Sequence, residues 1–520
     1  MATKASTTTA VDVTDVTGVT EVAELTEATE APCAAGTPLL GSMADLLGDP
    51  LAAYLRARRD QGDVVRFRAG PPGLRREIYG VFSAEGIQQV LATEAANFRK
   101  DNAIYEELRQ ALGNGLLTSQ DEDYRRQRRL IQPLFTRRRV EGYATAVTSE
   151  AAALAARWRE TPGGADGAVE LVEEMRGYAL RVVGRVLFGS DVEQTIEVVR
   201  DSLPMLNERA RARALSPVKL PRDWPTPANR RAARAQAGLY ALCDAIISKR
   251  MDGRERDGRE HAPGPVPEDG AGPQDGAGPQ DGAGPQDGAV SEEGAAEDLL
   301  TLLIRAHNAE DGSLTRAELR EQVLVFFLAG HDTTATALTF ALHLLARHPA
   351  EQRRVHEELD RALPDGRTPT AADLEALPRL TMVLKEAMRL FPPSPAVSRL
   401  AVAETVIGGR RIPAGAAVLV SQWVAHRHPA YWEDPERFDP ERFTPQAEAG
   451  RPRYAYFPFG GGPRACIGQH FSTLHSVLSL ATLLRAYEVE DATDGGDIPL
   501  GAGITLLAKG PVRVRVRSRT

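Results

Sequence analysis

From Ser83 onward, apolar residues recur at three- and four-residue spacing, as in "EGYATAVTSEAAALAARWRE" and "ELVEEMRGYALRVVGRVLFG". That period predicts amphipathic helices. Before Ser83, the stretch from Pro38 to Phe82 mixes a short helical start with two strand-like runs, "DVVRFRAG" and "REIYGVF". A long apolar run, Val323 to Leu342, predicts a buried helix, and "LPRLTMVLKEAMRLFPPSP" predicts another that its prolines stop. "AVAETVIGGRRIPAGAAVLVSQW" reads as strands about a turn at Gly408-Gly409, and "PVRVRVRS" alternates with period two, as an edge strand would. The expected class is mainly α with small β-sheets (α+β).

Two segments break the pattern. Residues 1–36 are rich in Thr, Ala, Glu and Asp, have no apolar h-region or basic cluster, and are expected to be a disordered tail in which Cys33 is incidental. Residues 252–297 carry "DGAGPQ" in tandem from Asp269. Their glycines miss the G-x-G-x-x-G spacing and no strand precedes them, so they read as a flexible surface insert between two helices. The expectation is one domain over 37–520, interrupted by that insert.

Composition narrows the classes. A formal charge of −8 argues against a nucleic-acid binder. Cys33, Cys243 and Cys466 are the only cysteines, too scattered for a disulfide framework, and they fit a reducing cytoplasm. Lysine occurs only six times against abundant arginine, the codon bias of a GC-rich genome. The run from Val323 to Leu342 is long enough to span a bilayer, yet His331 and Asp332 sit near its middle, where ionisable groups are costly. It reads as a core helix rather than a membrane anchor.

Cys466 lies in "FPFGGGPRACIGQHF", with Arg464 two residues before it and a helical pattern starting at about the cysteine. Cations and helix N-termini favour a thiolate, and the glycines let the backbone approach closely. Zinc needs more Cys or His at motif spacing, and only His470 is near. C-type haem needs C-x-x-C-H, which is absent. A nucleophile needs a base, and spacing shows none. Axial ligation of a haem iron needs one cysteine. A buried, inert cysteine satisfies the same residues.

"FPFGGGPRACIG", Phe457 to Gly468, resembles the haem-binding signature of the cytochrome P450 haem-thiolate monooxygenases, and three further motifs occur in that family's order. The resemblance spans Pro38 to the C-terminus. It implies a triangular, prism-like helical fold around haem b, with Cys466 as axial thiolate. "AGHDTT" (Ala329–Thr334) resembles the oxygen-activation groove. A mid-helix threonine bonds a carbonyl one turn back and distorts the helix, and the resemblance implies that Thr333 hydrogen-bonds dioxygen while Asp332 delivers protons. "KEAMRL" places Glu386 and Arg389 on one helix face. By resemblance they form the structural E-x-x-R pair, joined by Arg442 of "DPERFDPERF" in preference to Arg437. In "DYRRQRRLIQPLF", the resemblance implies haem propionate contacts from Arg128 and from Tyr124, which stands where the family has Trp or His and whose phenol can still donate a hydrogen bond. Arg399 and Arg464 are implied as further propionate contacts.

The resemblance implies a monooxygenase that inserts one atom of dioxygen into an apolar small molecule, with a role in secondary metabolism as the expectation. No flavin or iron–sulfur segment is present, so electrons are expected from a separate ferredoxin and its reductase. Arg125, Arg126, Arg129, Arg137, Arg138 and Arg139 would steer such an acidic partner or form a solvated basic face. A haem isomerase, dehydratase or peroxygenase, and a non-catalytic haem sensor, are the competing classes. Substrate contacts are expected from 101–118, 203–225 and 392–398.

Overall fold

The computed structural model of the chain describes residues 27–160, 168–188, 193–216, 221–260, 299–307, 314–493 and 495–519. The helices that build the site are, in chain order, α1 (Ala103–Leu112), α2 (Asp121–Ile131), α3 (Ala144–Glu160), α4 (Leu171–Phe188), α5 (Glu193–Leu215), α6 (Pro227–Glu260), α7 (Arg316–Arg347), α8 (Pro378–Leu390) and α9 (Gln469–Ala486).

Helix α7 is the axis. A capping box starts it: the Glu318 amide donates to Thr315 Oγ1 (3.2 Å), and the Thr315 amide donates to Glu318 Oε2 (2.8 Å). Its C-terminal half shares one core with α3, α4, α8 and α9, where Val147, Leu154, Tyr178, Leu342, Leu384 and Leu478 are all buried. Its N-terminal half shares a second core with α1, α5 and α6 through Val323, Leu324 and Phe327. Each such aliphatic or aromatic burial contributes about 1.5–3 kcal/mol before chain entropy is set against it. Among the described residues, α7 alone is long and apolar enough to cross a membrane, and 78% of its apolar window lies inside the protein. Gly330 fits it against α4, since a Cβ there would come within 2.9 Å of Val183 Cγ2.

The strands are β1 (Thr29–Glu30), β2 (Val64–Ala69), β3 (Arg76–Val81), β4 (Phe98–Arg99), β5 (Ala168–Glu170), β6 (Val397–Ala401), β7 (Thr405–Ile407), β8 (Arg410–Ile412), β9 (Ala417–Val420), β10 (Tyr487–Asp491), β11 (Leu500–Ala502), β12 (Leu506–Ala508) and β13 (Arg513–Ser518). The largest sheet runs β2-β3-β9-β6-β4; the smaller ones run β1-β8-β7, β10-β13-β5 and β11-β12. The turn expected at Gly408-Gly409 joins β7 to β8, with both glycines at positive φ.

Three expectations shift. The strand expected at an edge, β13, lies between β10 and β5 and pairs with both. Its alternation is real, with Val514 and Val516 buried, but period two reports a half-buried face and not an edge. The ordered domain starts before residue 37: β1 pairs in parallel with β8, Ala31 is buried, and Cys33 bridges to Arg66. Helix α6 continues through Glu260, past the expected start of the insert at 252. The "DGAGPQ" repeats lie outside the described residues, as do residues 1–26.

Candidate active site

The loop before α9 is folded on itself. The Gly460 amide donates to Phe457 O (2.9 Å), Ala465 to Gly462 O (3.1 Å) and Cys466 to Phe459 O (2.9 Å). Gly462 takes a φ of +63°, and a Cβ there would overlap the Leu91 carbonyl, so only glycine fits. His426 anchors the loop's start: the Phe457 amide donates to His426 Nε2 at 3.0 Å. Burial pushes the Cys466 thiol up, while the Gly468 amide, Arg128 and Lys100 pull it down. Those three groups all favour the thiolate.

Lys100 and Arg128 bear on this thiol, and Lys100 brings two more cations into the cluster. Arg399, Arg464 and Arg128 all repel Lys100, which burial and these neighbours hold well below the usual lysine range. Arg464 is pushed down to about 10, first by burial, with Arg399 adding to it. Its guanidinium stacks 3.4 Å over the Tyr124 ring, donates to Ser119 O (2.8 Å) and Gln120 Oε1 (3.0 Å), and leaves Nη1 buried without a partner. Asp121 is the acid that bears on Arg464, and it already pairs with Arg99. Tyr124 does not behave as expected. Its hydroxyl donates to Pro463 O (2.7 Å) and accepts from Arg128 Nη1 (2.8 Å), which also donates to Ala465 O (2.9 Å). The one phenolic proton is used on the loop, so Tyr124 clamps the cysteine loop instead of offering a donor to an anion. Arg399 donates to Ser398 O (2.9 Å) with Nη1.

On α7, Thr333 Oγ1 donates to Ala329 O at 2.7 Å, the back-bond expected one turn earlier. The helix nonetheless runs as α through all of Arg316–Arg347, so the expected distortion is not a break. The hydroxyl shares a carbonyl without displacing its amide donor. Asp332 is buried against α4, with Oδ1 3.4 Å from Arg176 Nε and 3.3 Å from His331 Nε2.

Glu386 and Arg389 are both fully buried and doubly bonded, Nε to Oε2 at 2.6 Å and Nη2 to Oε1 at 2.8 Å. Arg389 also donates to the carbonyls of His426 (2.9 Å), Pro435 (2.7 Å) and Arg437 (3.2 Å). The Asp439 amide donates to Glu386 Oε1 (2.9 Å), and Arg442 Nε stands 3.6 Å from the same oxygen. Arg437 instead turns outward to Asp434 and Asp439. The chain from Glu386 through Arg389 and His426 to Phe457 therefore ties α8 to the cysteine loop.

The cytochrome P450 family profile matches residues 32–514. This chain belongs to the cytochrome P450 family. It is 34% identical over 454 residues to the cyclooctat-9-en-7-ol 5-monooxygenase of Streptomyces melanosporofaciens, covering 87% of this chain and 88% of that one. It is 31% identical over 486 residues to the pentalenene oxygenase of Streptomyces avermitilis, covering 93% and 96%. Among solved structures, the haem domain of cytochrome P450DA superposes with a TM-score of 0.77 at 26% identity, covering 95% of this chain and 98% of that one. The P450 fold and monooxygenase class expected from the motifs are thus established, with haem on a cysteine thiolate, dioxygen, an apolar substrate and redox partners.

The residues present fit that cofactor. The thiol heads a glycine loop, and among the described residues Lys100, Arg128, Arg399 and Arg464 form no ion pair with a carboxylate, which leaves their charge for a dianionic porphyrin rim. Lys100 was invisible to motif reading, because a single lysine after β4 carries no pattern. Its presence among the arginines is a product of the fold. Outside the cysteine loop, Tyr124, Arg125, Arg128, Arg129, Gln132 and Pro463 line an open groove of about 690 Å³. Of the arginines expected here, Arg126 is committed to Glu318 and Arg137 to Glu141 and Glu375. On the other side of α7, the segment expected at 101–118 contains α1, which the buried Glu107 ties to Arg213 of α5 at 2.9 Å.

Proposed function

We propose that Cys466 holds haem b and that this P450 hydroxylates or epoxidises a cyclic terpenoid with electrons from a ferredoxin. The observation that carries the cofactor assignment is the folded glycine loop that presents Cys466 beside Arg128, which donates to Ala465 O, and Arg464, whose Nη1 is buried without a partner. Lys100, Arg399 and the unpartnered Nη1 of Arg464 would hold the propionates; Tyr124 and Arg128 would fix the loop that presents the sulfur. Bound haem supplies the dioxygen and electron-transfer chemistry that no side chain can.

The remaining work belongs to the chain. Asp332 moves protons, and the Thr333 hydroxyl, held by Ala329 O, orients the last hydrogen bond at the groove. Val323, Leu324 and Phe327, buried in the core with α1, α5 and α6, hold α7 rigid behind the groove. The terpenoid class rests on the two Streptomyces relatives named above. The arginine-lined groove offers an acidic ferredoxin a docking face beside the cysteine loop.

The test uses the full chain loaded with haem. Its reduced carbon monoxide complex should absorb as a thiolate-ligated haem, and cyclic terpene hydrocarbons and alcohols should shift the Soret band. Product should form with NADPH, ferredoxin and reductase together. Product made equally well without them overturns the electron route, and absence of the thiolate-type band overturns Cys466.

A further inference from the structure

Charge is distributed unevenly along this chain. Residues 261–298 contain nine acidic residues and no lysine or arginine. Four of the nine, Asp269, Asp275, Asp281 and Asp287, recur at every sixth position of the tandem repeats. Taking the nine from the chain's 71 acidic residues leaves 62 against 63 Lys and Arg, so the rest of the molecule is +1 and this one segment accounts for the formal charge of −8. A block of one sign repels itself and is the mark of an interaction segment whose counterpart carries the opposite sign.

That counterpart lies close to the segment's flanks, which are α6, ending at Glu260, and the short helix Leu299–His307. The short helix packs against α2, and Arg250 Nη1 of α6 donates to Thr301 Oγ1 at 3.0 Å. On α2, Arg125 and Arg129 are exposed and, with Arg128, line the groove of about 690 Å³ beside the cysteine loop. Arg138 and Arg139, also exposed, follow a few residues later. Arg125 pairs with the exposed Glu122 at 3.7 Å, and Arg129, Arg138 and Arg139 meet no carboxylate among the described residues. Distance is no obstacle. Helix α2 has 11 residues and is about 16 Å long, whereas 38 residues extend to about 125 Å, or about 60 Å out and back.

We propose that residues 261–298 occupy the arginine-lined groove in the free protein, and that an acidic electron donor must displace them. The proposal rests on the reading of that groove as the donor's docking face. Contact is carboxylate to guanidinium at the surface, where each pair contributes only about 0.2–1 kcal/mol, so the segment exchanges readily. Its tether compensates, holding it at an effective concentration on the order of 1 mM. A millimolar contact then fills about half the molecules and raises the donor's apparent Kd about twofold, and more at low salt.

The first test reads occupancy and needs no turnover. In the full-length, haem-loaded protein, Arg129→Lys supplies an amine, and a zero-length carbodiimide should join it to acidic residues of 268–298, as mass spectrometry of the digest reports. Plant ferredoxin should suppress that link. Absence of the link, or links formed only between two molecules, overturns the proposal. The second test replaces Asp269, Asp275, Asp281 and Asp287 together by Asn. The Kd for plant ferredoxin should fall about twofold or more at low salt and stay unchanged at about 1 M, where charges are screened within about 3 Å. An unchanged Kd at both salts overturns it. Mere relief of repulsion toward an acidic donor would leave residue 129 unlinked, so the first test separates repulsion from displacement. Arg129→Glu separates the two levels. If it weakens ferredoxin severalfold while the four-Asn variant changes nothing, the docking face stands and the acidic occupant is excluded; if it leaves ferredoxin binding unchanged, the docking reading itself fails.

Discussion

Arg389→Ala should strongly destabilise this protein, because Arg389 serves the fold through the Glu386 network. The substitution leaves Glu386 as a fully buried anion with the Asp439 amide as its one close donor and Arg442 3.6 Å away. Removing one partner of a buried pair costs about 3–5 kcal/mol. The carbonyls of His426, Pro435 and Arg437 lose their donor as well, and each orphaned group adds about 1–3 kcal/mol. The sum is about 5 kcal/mol or more, against a total stability of about 5–15 kcal/mol. For 520 residues the unfolding entropy is about 1 kcal/mol per degree, so the melting temperature should fall by about 5 °C or more. Melts followed by circular dichroism and by the haem band report this, and haem content should drop with it because Arg389 holds His426 and His426 holds Phe457. Arg437→Ala is the control. Its exposed side chain goes while the carbonyl that Arg389 uses remains, so the change should stay within about 0.5 kcal/mol. A shift below about 1 °C in Arg389→Ala, the value of a surface ion pair, would refute the argument that the network is tensioned by burial.

Thr333→Ala should keep fold and haem, since alanine is the better helix former, while product per NADPH falls and peroxide rises; unchanged coupling would remove the hydroxyl from the mechanism. Cys466→His should abolish the thiolate-type band of the reduced carbon monoxide complex, and survival of that band would reassign the ligand. Gly462→Ala should give protein that binds little haem, because the added Cβ meets the Leu91 carbonyl backbone; normal haem loading would show that the loop can shift. Burial holds His343 and His356 down at about 4 and His475 at about 3. Their folded values lie below the unfolded value of about 6.5. The stability they contribute is therefore complete above about pH 6.5 and is lost as pH falls toward 4, by a few kcal/mol in all. Melts at pH 7 and pH 5 should show the loss, and His475→Phe should reduce it; an unchanged slope contradicts the assignment.

What sequence made legible follows contact range. The long helix, its threonine back-bond, the Glu386–Arg389 pair and the glycine loop are set by residues within a turn or two, and all stand as read. Of the two candidate arginines, Arg442 turns inward to Glu386 and Arg437 outward to Asp439. The bond from the Tyr124 hydroxyl to a carbonyl 339 residues away has no local signal in the sequence. Lys100, His426 and the Arg176–Asp332 contact are likewise products of chain crossing, and no spacing rule encodes them. For β13, local period was right and sheet position was not, because period two records which faces are buried and says nothing of how many neighbours a strand has.

That central strand has a consequence for synthesis. Residues 168–170 are made early, yet their ladder partners are residues 513–515, and the Leu171 amide that opens α4 donates to Val512 O. The N-terminal end of α4 is therefore left without this support until residues 512–515 have been made. At about 5–20 residues per second, a ribosome takes on the order of 20–70 seconds to cover that interval. Throughout it, the apolar face that α4 later buries against α7 has no docked partner sheet beside it. Closing so long a loop is also entropically costly and slow. Termination before β13 should thus leave α4 in an aggregation-prone state, so residues 512–515 act as a latch on its N-terminal end.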